Sequence, residues 1–168
     1  GPQAGIILGA AKWLDRIKEN PLHRALRIDK LTLAALESTL RVYLDPERAP
    51  DTLPALGMLT CPAGELETRA RRLMRKLNKV VSASCRAAVK QERSQVGGGA
   101  LPLQELPTRV VALRPLNVSA AVLEERLRKT EPPVIARIKE DEVLLDPRTI
   151  AGEEEDLLVK ALEQALQQ

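Results

Sequence analysis

The sequence predicts a mixed α/β chain in two parts. The first is a short segment of one strand and two helices, and the second is an α+β domain with helices on one face of a mostly antiparallel sheet. Two observations indicate this fold class. Patterns through residues 62–168 run helix, strand, strand, helix, strand, strand, helix, which is typical of that architecture. A proline-rich passage over residues 46–61 is a linker candidate that separates this domain from residues 1–45.

The first part opens with a glycine-rich turn and an apolar run. Residues 6–8 are predicted as a buried strand and residues 10–19 as a helix. A second helix is predicted over residues 21–44, because Asn20 is a favoured N-cap and Pro21 suits the first helical position. Its apolar stripe comprises Leu26, Leu33, Leu36, Leu40 and Tyr43 or Leu44. Because an opening strand needs neighbours to pair with, we expect this chain to be part of a longer protein.

The second part is predicted element by element from its periodicity. The pattern gives a helix over residues 62–81, strands near residues 86–96 and 109–114, and a helix near residues 119–129. The stretch PVIARIKEDEVLLD predicts a tight hairpin with Glu140 and Asp141 at the turn. A last helix is predicted over residues 152–166, with acidic residues in its first turn that complement the helix dipole.

Composition excludes several classes of protein. The chain of 168 residues has one Trp, one Tyr and no Phe, so its core must consist of aliphatic side chains. No apolar run approaches the ~20 residues of a membrane span, and no signal-peptide pattern is present, so we expect a soluble, cytoplasmic protein. Cys61 and Cys85 follow no metal or disulfide spacing and are expected to be reduced. Residues 1–95 hold 17 Lys and Arg against 10 Asp and Glu, which favours an anionic partner for that half.

Two arginines near the start of the second helix are the candidate binding residues. Arg24 and Arg27 are three residues apart, so on a helix they leave the same face with Cβ atoms about 5–6 Å apart. Cations are unfavourable at the positive end of a helix dipole, and an anion held between the two guanidinium groups would resolve that conflict. The alternatives are that each arginine pairs with a carboxylate such as Asp29 or Glu19, or is solvated.

Three other features carry weaker indications. The helix over residues 65–80 presents a basic stripe that could follow a phosphate backbone. The stripe has no aromatic residues for stacking on bases, so a solvated helix face is the favoured interpretation. Glycines 97–99 lack the spacing of a phosphate loop. His23 is the only histidine, so no metal site is expected. The stripe consists of Arg71, Arg72, Arg75 and Lys79.

Four segments together resemble one enzyme family. GPQAGII, NPLHRALRIDKLTLAALESTLRVYLD, VGGGALPLQELPT and PVIARIKEDEVLLDPRTI, in this order, are similar to bacterial L-seryl-tRNA(Sec) selenium transferase. The resemblance implies a fold-type-I enzyme dependent on pyridoxal 5'-phosphate. Such an enzyme converts seryl-tRNA(Sec) to selenocysteinyl-tRNA(Sec) with selenophosphate, and a homo-oligomer is implied.

The resemblance also implies what this chain would contribute. The lysine that forms the Schiff base precedes the PQAG motif in the family, and Lys12, Lys18 and Lys30 do not match its position. Residues 1–45 would therefore be the C-terminal strand and helices of the large domain, residues 46–61 a linker, and residues 62–168 the small domain. No catalytic or cofactor-binding residue and no specifically bound cofactor are expected in this chain alone.

By position, the resemblance makes Arg24 and Arg27 ligands of selenophosphate. Arg137 lies where many fold-type-I enzymes bind a substrate carboxylate. The seryl group on tRNA has no free carboxylate, so a structural role is favoured for Arg137. The rival hypothesis is a free-standing α+β module that binds RNA through the basic helix over residues 65–80, or an interaction domain without an anion site.

Overall fold

The computed structural model describes residues 1–96 and 104–167, which form two compact units, Gly1–Gly57 and Met58–Gln168. The helices are α1 (Ala11–Glu19), α2 (Leu22–Leu26), α3 (Lys30–Val42), α4 (Ala49–Thr52), α5 (Pro54–Thr60), α6 (Ala63–Val81), α7 (Ala120–Arg128) and α8 (Glu155–Gln167). The strands are β1 (Cys85–Gln95), β2 (Glu105–Pro115), β3 (Arg137–Lys139) and β4 (Glu142–Leu145). Among the described helices, none is long and apolar enough to cross a bilayer.

The opening residues of the first unit do not form the predicted strand. Residues 1–10 have no regular secondary structure, and Leu8 is 88% exposed. A strand is stable only when its backbone groups pair with a neighbour, and the described residues of this unit contain no other strand. The apolar run at residues 6–8 therefore remains extended chain. The predicted helix after it is confirmed as α1.

The single helix predicted over residues 21–44 is wrong, because the chain forms two helices with a break between them. The α2 helix ends at Leu26, Arg27 has extended backbone angles, and α3 begins at Lys30. Asp29 causes the break, since its carboxylate accepts hydrogen bonds from the backbone N–H groups of Leu31 and Thr32 at 2.8 and 3.0 Å. An aspartate at an N-cap competes with helix continuation through its own position.

The leucine stripe of the first unit is largely open to solvent. Leu36 is half-buried, whereas Leu33 and Leu40 are 55% and 47% exposed. Together with Glu37, Arg41 and Leu44 these leucines line a groove along α3. Ala49 is the only buried residue among the described residues of this unit. An apolar face of this kind normally lies against another surface.

The proline-rich passage contains two short helices, α4 and α5, packed closely at Gly57. A Cβ atom on Gly57 would lie 2.6 Å from the carbonyl oxygen of Pro50, so only glycine fits this approach.

The second unit has the predicted order of elements, a main hydrophobic core and a smaller buried cluster of Val110, Ala112 and Leu144. Its four strands form an antiparallel sheet in the order β1-β2-β4-β3. The core lies between one face of this sheet and helices α6, α7 and α8. It is formed by fully buried aliphatic side chains, including Leu73, Leu77, Leu113, Leu123, Val143 and Leu162.

Two local predictions in this unit are confirmed, the β3–β4 turn and the last helix. Glu140 and Asp141 form the β3–β4 turn with φ angles of 51° and 59°, the left-handed pair that a two-residue hairpin requires. The Ser119 hydroxyl caps α7 by accepting the N–H of Val122. The last helix begins with a 3₁₀ turn over Gly152–Glu154 before α8.

Candidate functional site

The two candidate arginines lie on both sides of the end of α2. Arg24 is in the last turn of this five-residue helix, and Arg27 follows it in extended conformation. The prediction that Arg24 and Arg27 lie on one face near the start of a long helix is therefore wrong. The conflict with the helix dipole that was derived from this prediction is wrong as well. The reason is the Asp29 cap, which ends the helical path before Arg27 could join it.

Both guanidinium groups are exposed and without a protein anion. Within residues 1–96 and 104–167, neither Arg24 nor Arg27 makes an ion pair or a side-chain hydrogen bond. The carboxylate of Asp29 is engaged instead by α3: the Thr32 hydroxyl at 2.6 Å and two backbone N–H groups lower its pKa. Of the alternatives left by the sequence, pairing with Asp29 or Glu19 does not occur in this part of the chain.

A cleft between α1 and α2 adds side chains that the sequence analysis missed. Arg27 lines this cleft of about 980 Å³ together with Trp13, Arg16 and His23. The Trp13 ring is half-exposed and lies 5.4 Å from Arg16 Cζ, within the range of a cation–π contact. The spacing of Trp13 and Arg16, three residues apart on one helix, is the signal that could have indicated this contact. Arg24 is not among the residues that line the cleft.

The basic stripe of α6 is partly used inside its own unit. Arg72 donates to Glu155 of α8 at 2.5 Å, and Arg71 pairs with Glu67 one turn earlier at 2.7 Å. Arg75 and Lys79 are exposed and have no ion-pair partner among the described residues. Two of the four cations are therefore paired within their own unit, which weakens the interpretation of the stripe as an RNA-binding face.

The Glu155 carboxylate is the most buried charge of this unit. Burial opposes its ionisation, but hydrogen bonds from Arg72 and Lys76 outweigh that effect and lower its pKa. Lys76 also reaches Asp156 at 2.7 Å, so α6 and α8 are joined by a small network of charges.

The remaining candidates show no binding chemistry. Arg137 donates to the backbone carbonyl of Arg93 at 3.1 Å and lies 3.8 Å from Asp146, contacts that suit a structural role. Glycines 97–99 lie outside the described residues. Among the residues described, no group of three or more His, Cys, Asp or Glu side chains could hold a metal ion.

Comparison with known proteins identifies the class of this chain. The profile of the L-seryl-tRNA selenium transferase family matches residues 1–151, so the chain belongs to this family. The L-seryl-tRNA(Sec) selenium transferase of Nitratidesulfovibrio vulgaris is 51% identical over 166 residues, which cover 99% of this chain and 35% of the relative. The proteins of that name from Desulfovibrio desulfuricans and Geobacter sulfurreducens are both 49% identical, over 99% and 96% of this chain. The chain spans 35–36% of the length of these relatives.

Proposed function

We propose that this chain is the C-terminal part of an enzyme that converts seryl-tRNA(Sec) to selenocysteinyl-tRNA(Sec) with selenophosphate as donor. Membership of the family over residues 1–151 is the observation that carries this proposal. The whole enzyme uses pyridoxal 5'-phosphate and is a cytoplasmic homo-oligomer of fold type I. Residues 1–45 close its large domain, residues 46–61 form the linker, and residues 62–168 form the small domain.

The described lysines of the first unit do not fit a pyridoxal phosphate site. Lys12 stands over the Trp13 ring at 5.2 Å, Lys18 pairs with Asp15 at 3.6 Å, and all three lysines, including Lys30, are solvent-exposed. A lysine that forms a Schiff base needs a desolvated pocket that lowers its pKa. In this proposal none of these three lysines forms the Schiff base, and the cofactor would supply an electron sink when bound in the whole enzyme.

The exposed apolar face of the first unit supports its assignment to the large domain. The leucines of the α3 groove are open, and this unit contains a single buried residue among those described. A surface of this kind gains stability at roughly 25 cal/mol per Å² when it is covered. In the whole enzyme, the rest of the large domain covers it.

Arg24 and Arg27 bind the selenophosphate donor in this proposal. Their guanidinium groups are exposed, charged and free of carboxylate partners among the described residues. Two guanidinium groups can each offer a planar pair of N–H donors to a tetrahedral oxyanion. Because Arg27 follows α2 in extended backbone, its side chain can approach the anion from a different direction than Arg24. Together they neutralise and orient the donor.

The test is donor kinetics in the whole enzyme with Arg24→Ala and Arg27→Ala. Loss of a charge-assisted hydrogen bond to a desolvated anion costs about 1.5–3 kcal/mol, so the KM for selenophosphate should rise or kcat should fall roughly ten- to a hundredfold. Lysine at either position should rescue only part of this loss, because it lacks the planar fork.

Arg41→Ala is the matched control for this test. Arg41 is an exposed arginine of the same unit, but it already pairs with Glu37 at 2.7 Å. Its replacement should leave donor kinetics within about twofold, since an exposed ion pair contributes little. Equal losses in all three alanine variants, or unchanged donor kinetics in Arg24→Ala and Arg27→Ala, would refute the assignment.

A further inference from the structure

The β1 strand is an unprotected edge of the sheet in the second unit. It lies at the end of the order β1-β2-β4-β3 and pairs along all 11 of its residues with β2 alone. The other edge strand, β3, has only three residues. A long edge strand presents a row of backbone donors and acceptors that can pair with another strand.

The phase of the β1–β2 ladder determines which backbone groups point outward. Leu116 donates its N–H to Ser84 at 2.9 Å, and the same register pairs even-numbered residues of β1 with even-numbered residues of β2. Because hydrogen-bonded and non-hydrogen-bonded pairs alternate in antiparallel sheets, the odd-numbered residues of β1 direct their N–H and C=O away from β2. Pro107, which has no N–H, lies opposite Arg93 in this second set.

Part of the outward edge is already occupied. The N–H of Arg93 donates to the Glu92 carboxylate at 3.2 Å, and its carbonyl accepts Arg137 Nη1 at 3.1 Å. In the described part of the chain, the outward backbone groups of Ala87, Val89 and Gln91 have no such partner. The usable edge is therefore the segment from Ala87 to Gln91, centred on Val89.

The side chains beside this segment leave room for another strand. A shallow cavity of about 520 Å³ runs along it, with Met74, Ala87 and Val89 as its apolar floor. Glu67, Arg71 and Arg109 form its polar rim. Ala88 is small and exposed on the opposite face of the strand, so its own side chain leaves room for a neighbour.

We propose that a second copy of this chain docks here, its β1 strand antiparallel to the first with Val89 opposite Val89 of the second copy. This register pairs Ala87 with Gln91 of the second copy, and Gln91 with Ala87 of the second copy. It therefore uses all three unoccupied residues and forms about six backbone hydrogen bonds. The two sheets become one continuous sheet across a two-fold axis, which is the self-complementary interface of a C2 dimer.

Charge complementarity selects this register over its neighbours. With Val89 at the centre, Arg86 faces Glu92 of the second copy on both sides of the axis. A shift of two residues along one strand, the smallest that keeps the hydrogen-bond phase, places Arg86 opposite Lys90 of the second copy in one direction and Lys90 opposite Lys90 in the other. Like charges directly opposite each other destabilise a strand pair. The Glu92 carboxylate is held as an anion by the hydrogen bond that it accepts from Lys139 at 2.6 Å, which lowers its pKa, so Arg86 of the second copy would share this carboxylate with Lys139.

Disulfide trapping of the full chain tests the register, in a Cys61→Ser background with Cys85 left buried. Val89→Cys alone should form a linked dimer under mild oxidation, since residues directly opposite have Cα atoms within bonding range. Arg86→Cys and Glu92→Cys should not link alone, because equal positions lie about 20 Å apart, but should link when the two proteins are mixed. Gln91→Cys is the matched control and should not link with itself, its copies being about 13 Å apart.

Charge reversal provides the second measurement. Arg86→Glu should raise the dimer dissociation constant at least about tenfold in light scattering, and Arg86→Glu combined with Glu92→Arg should restore it. A dimer that forms no Val89→Cys link, a Gln91→Cys link as efficient as that of Val89→Cys, or a monomer at all concentrations would overturn the proposal. None of these outcomes depends on selenium transfer, so this interface and the proposed function fail separately.

Discussion

The Glu155 carboxylate at the start of α8 accepts a hydrogen bond from Arg72 of α6 at 2.5 Å, and Lys76, one turn along α6, lies 3.1 Å from the same carboxylate. Only 4% of the Glu155 side chain is exposed, whereas the two cations are partly solvated. A buried carboxylate with two cationic donors fixes the position of one helix against another. It also explains why the basic stripe of α6 is less available to an external partner than the sequence indicates.

Glu155→Gln should therefore destabilise the second unit. The amide cannot replace the charge that Arg72 and Lys76 neutralise, and the expected loss is about 1–3 kcal/mol in the free energy of unfolding. Urea unfolding monitored by circular dichroism measures it. Glu37→Gln, which breaks the exposed pair with Arg41 in the first unit, should cost below about 1 kcal/mol. Equal effects of the two substitutions would show that burial of Glu155 does not matter.

The contribution of Glu155 should depend on pH in a defined direction. Its pKa in the folded chain is lower than its ordinary value of 4.5. The unfolded chain therefore binds the proton first as pH falls, so the stabilisation is present above about pH 4.5 and is lost as pH drops through the folded pKa. The difference in unfolding free energy between wild type and Glu155→Gln should shrink below pH 4.5. A difference that stays constant from pH 7 down to acid unfolding would contradict this.

Asp29→Ala should loosen the first turn of α3. The substitution removes three hydrogen bonds, two from backbone N–H groups and one from the Thr32 hydroxyl. Loss of such a cap costs about 0.5–2 kcal/mol of helix stability. Hydrogen exchange of the Leu31 and Thr32 amides should accelerate several-fold. Asp15→Ala, which removes only an exposed contact with Lys18, should leave these amides unchanged. Unchanged exchange in Asp29→Ala would show that the cap does not hold α3.

Limited proteolysis should release a stable core close to residues 62–168. Every buried residue of the described chain except Ala49 belongs to the second unit, so the first unit has little packing to resist cleavage. Early cuts are expected in residues 46–61 or before Pro21, and mass spectrometry identifies them. Uniform protection from Gly1 onward in the monomeric chain would contradict this division.

Sequence patterns predicted the second unit well because its signals are local. The α6 periodicity and the Glu140–Asp141 turn each depend on residues within a few positions of one another. The insertion of β4 between β2 and β3 could not be predicted, because it depends on contacts between distant segments. The same applies to the pairing of Arg72 with Glu155 across 83 positions.

The first unit shows where local signals mislead. The apolar run at residues 6–8 has the composition of a strand but no described partner, and helical periodicity through residues 21–44 concealed a competing cap at Asp29. For the candidate site, the sequence predicted that Arg24 and Arg27 share one helix face, and the end of α2 at Leu26 removes that shared face. The sequence could not show that Asp29 is occupied elsewhere, since its carboxylate could equally have paired with an arginine.

The break at Arg27–Asp29 separates the arginine-bearing segment from the leucine face of α3, which a continuous helix would have joined rigidly. In a continuous helix, any rotation about the helix axis that moved Arg27 toward a ligand would also turn the leucines of α3 away from the surface proposed to cover them. Because Asp29 caps α3, this helix begins independently of the arginine-bearing segment, and residues 27–29 between them lie outside both helices. A substitution at Arg24 or Arg27 should therefore leave the capping hydrogen bonds of Asp29 at the start of α3 unchanged.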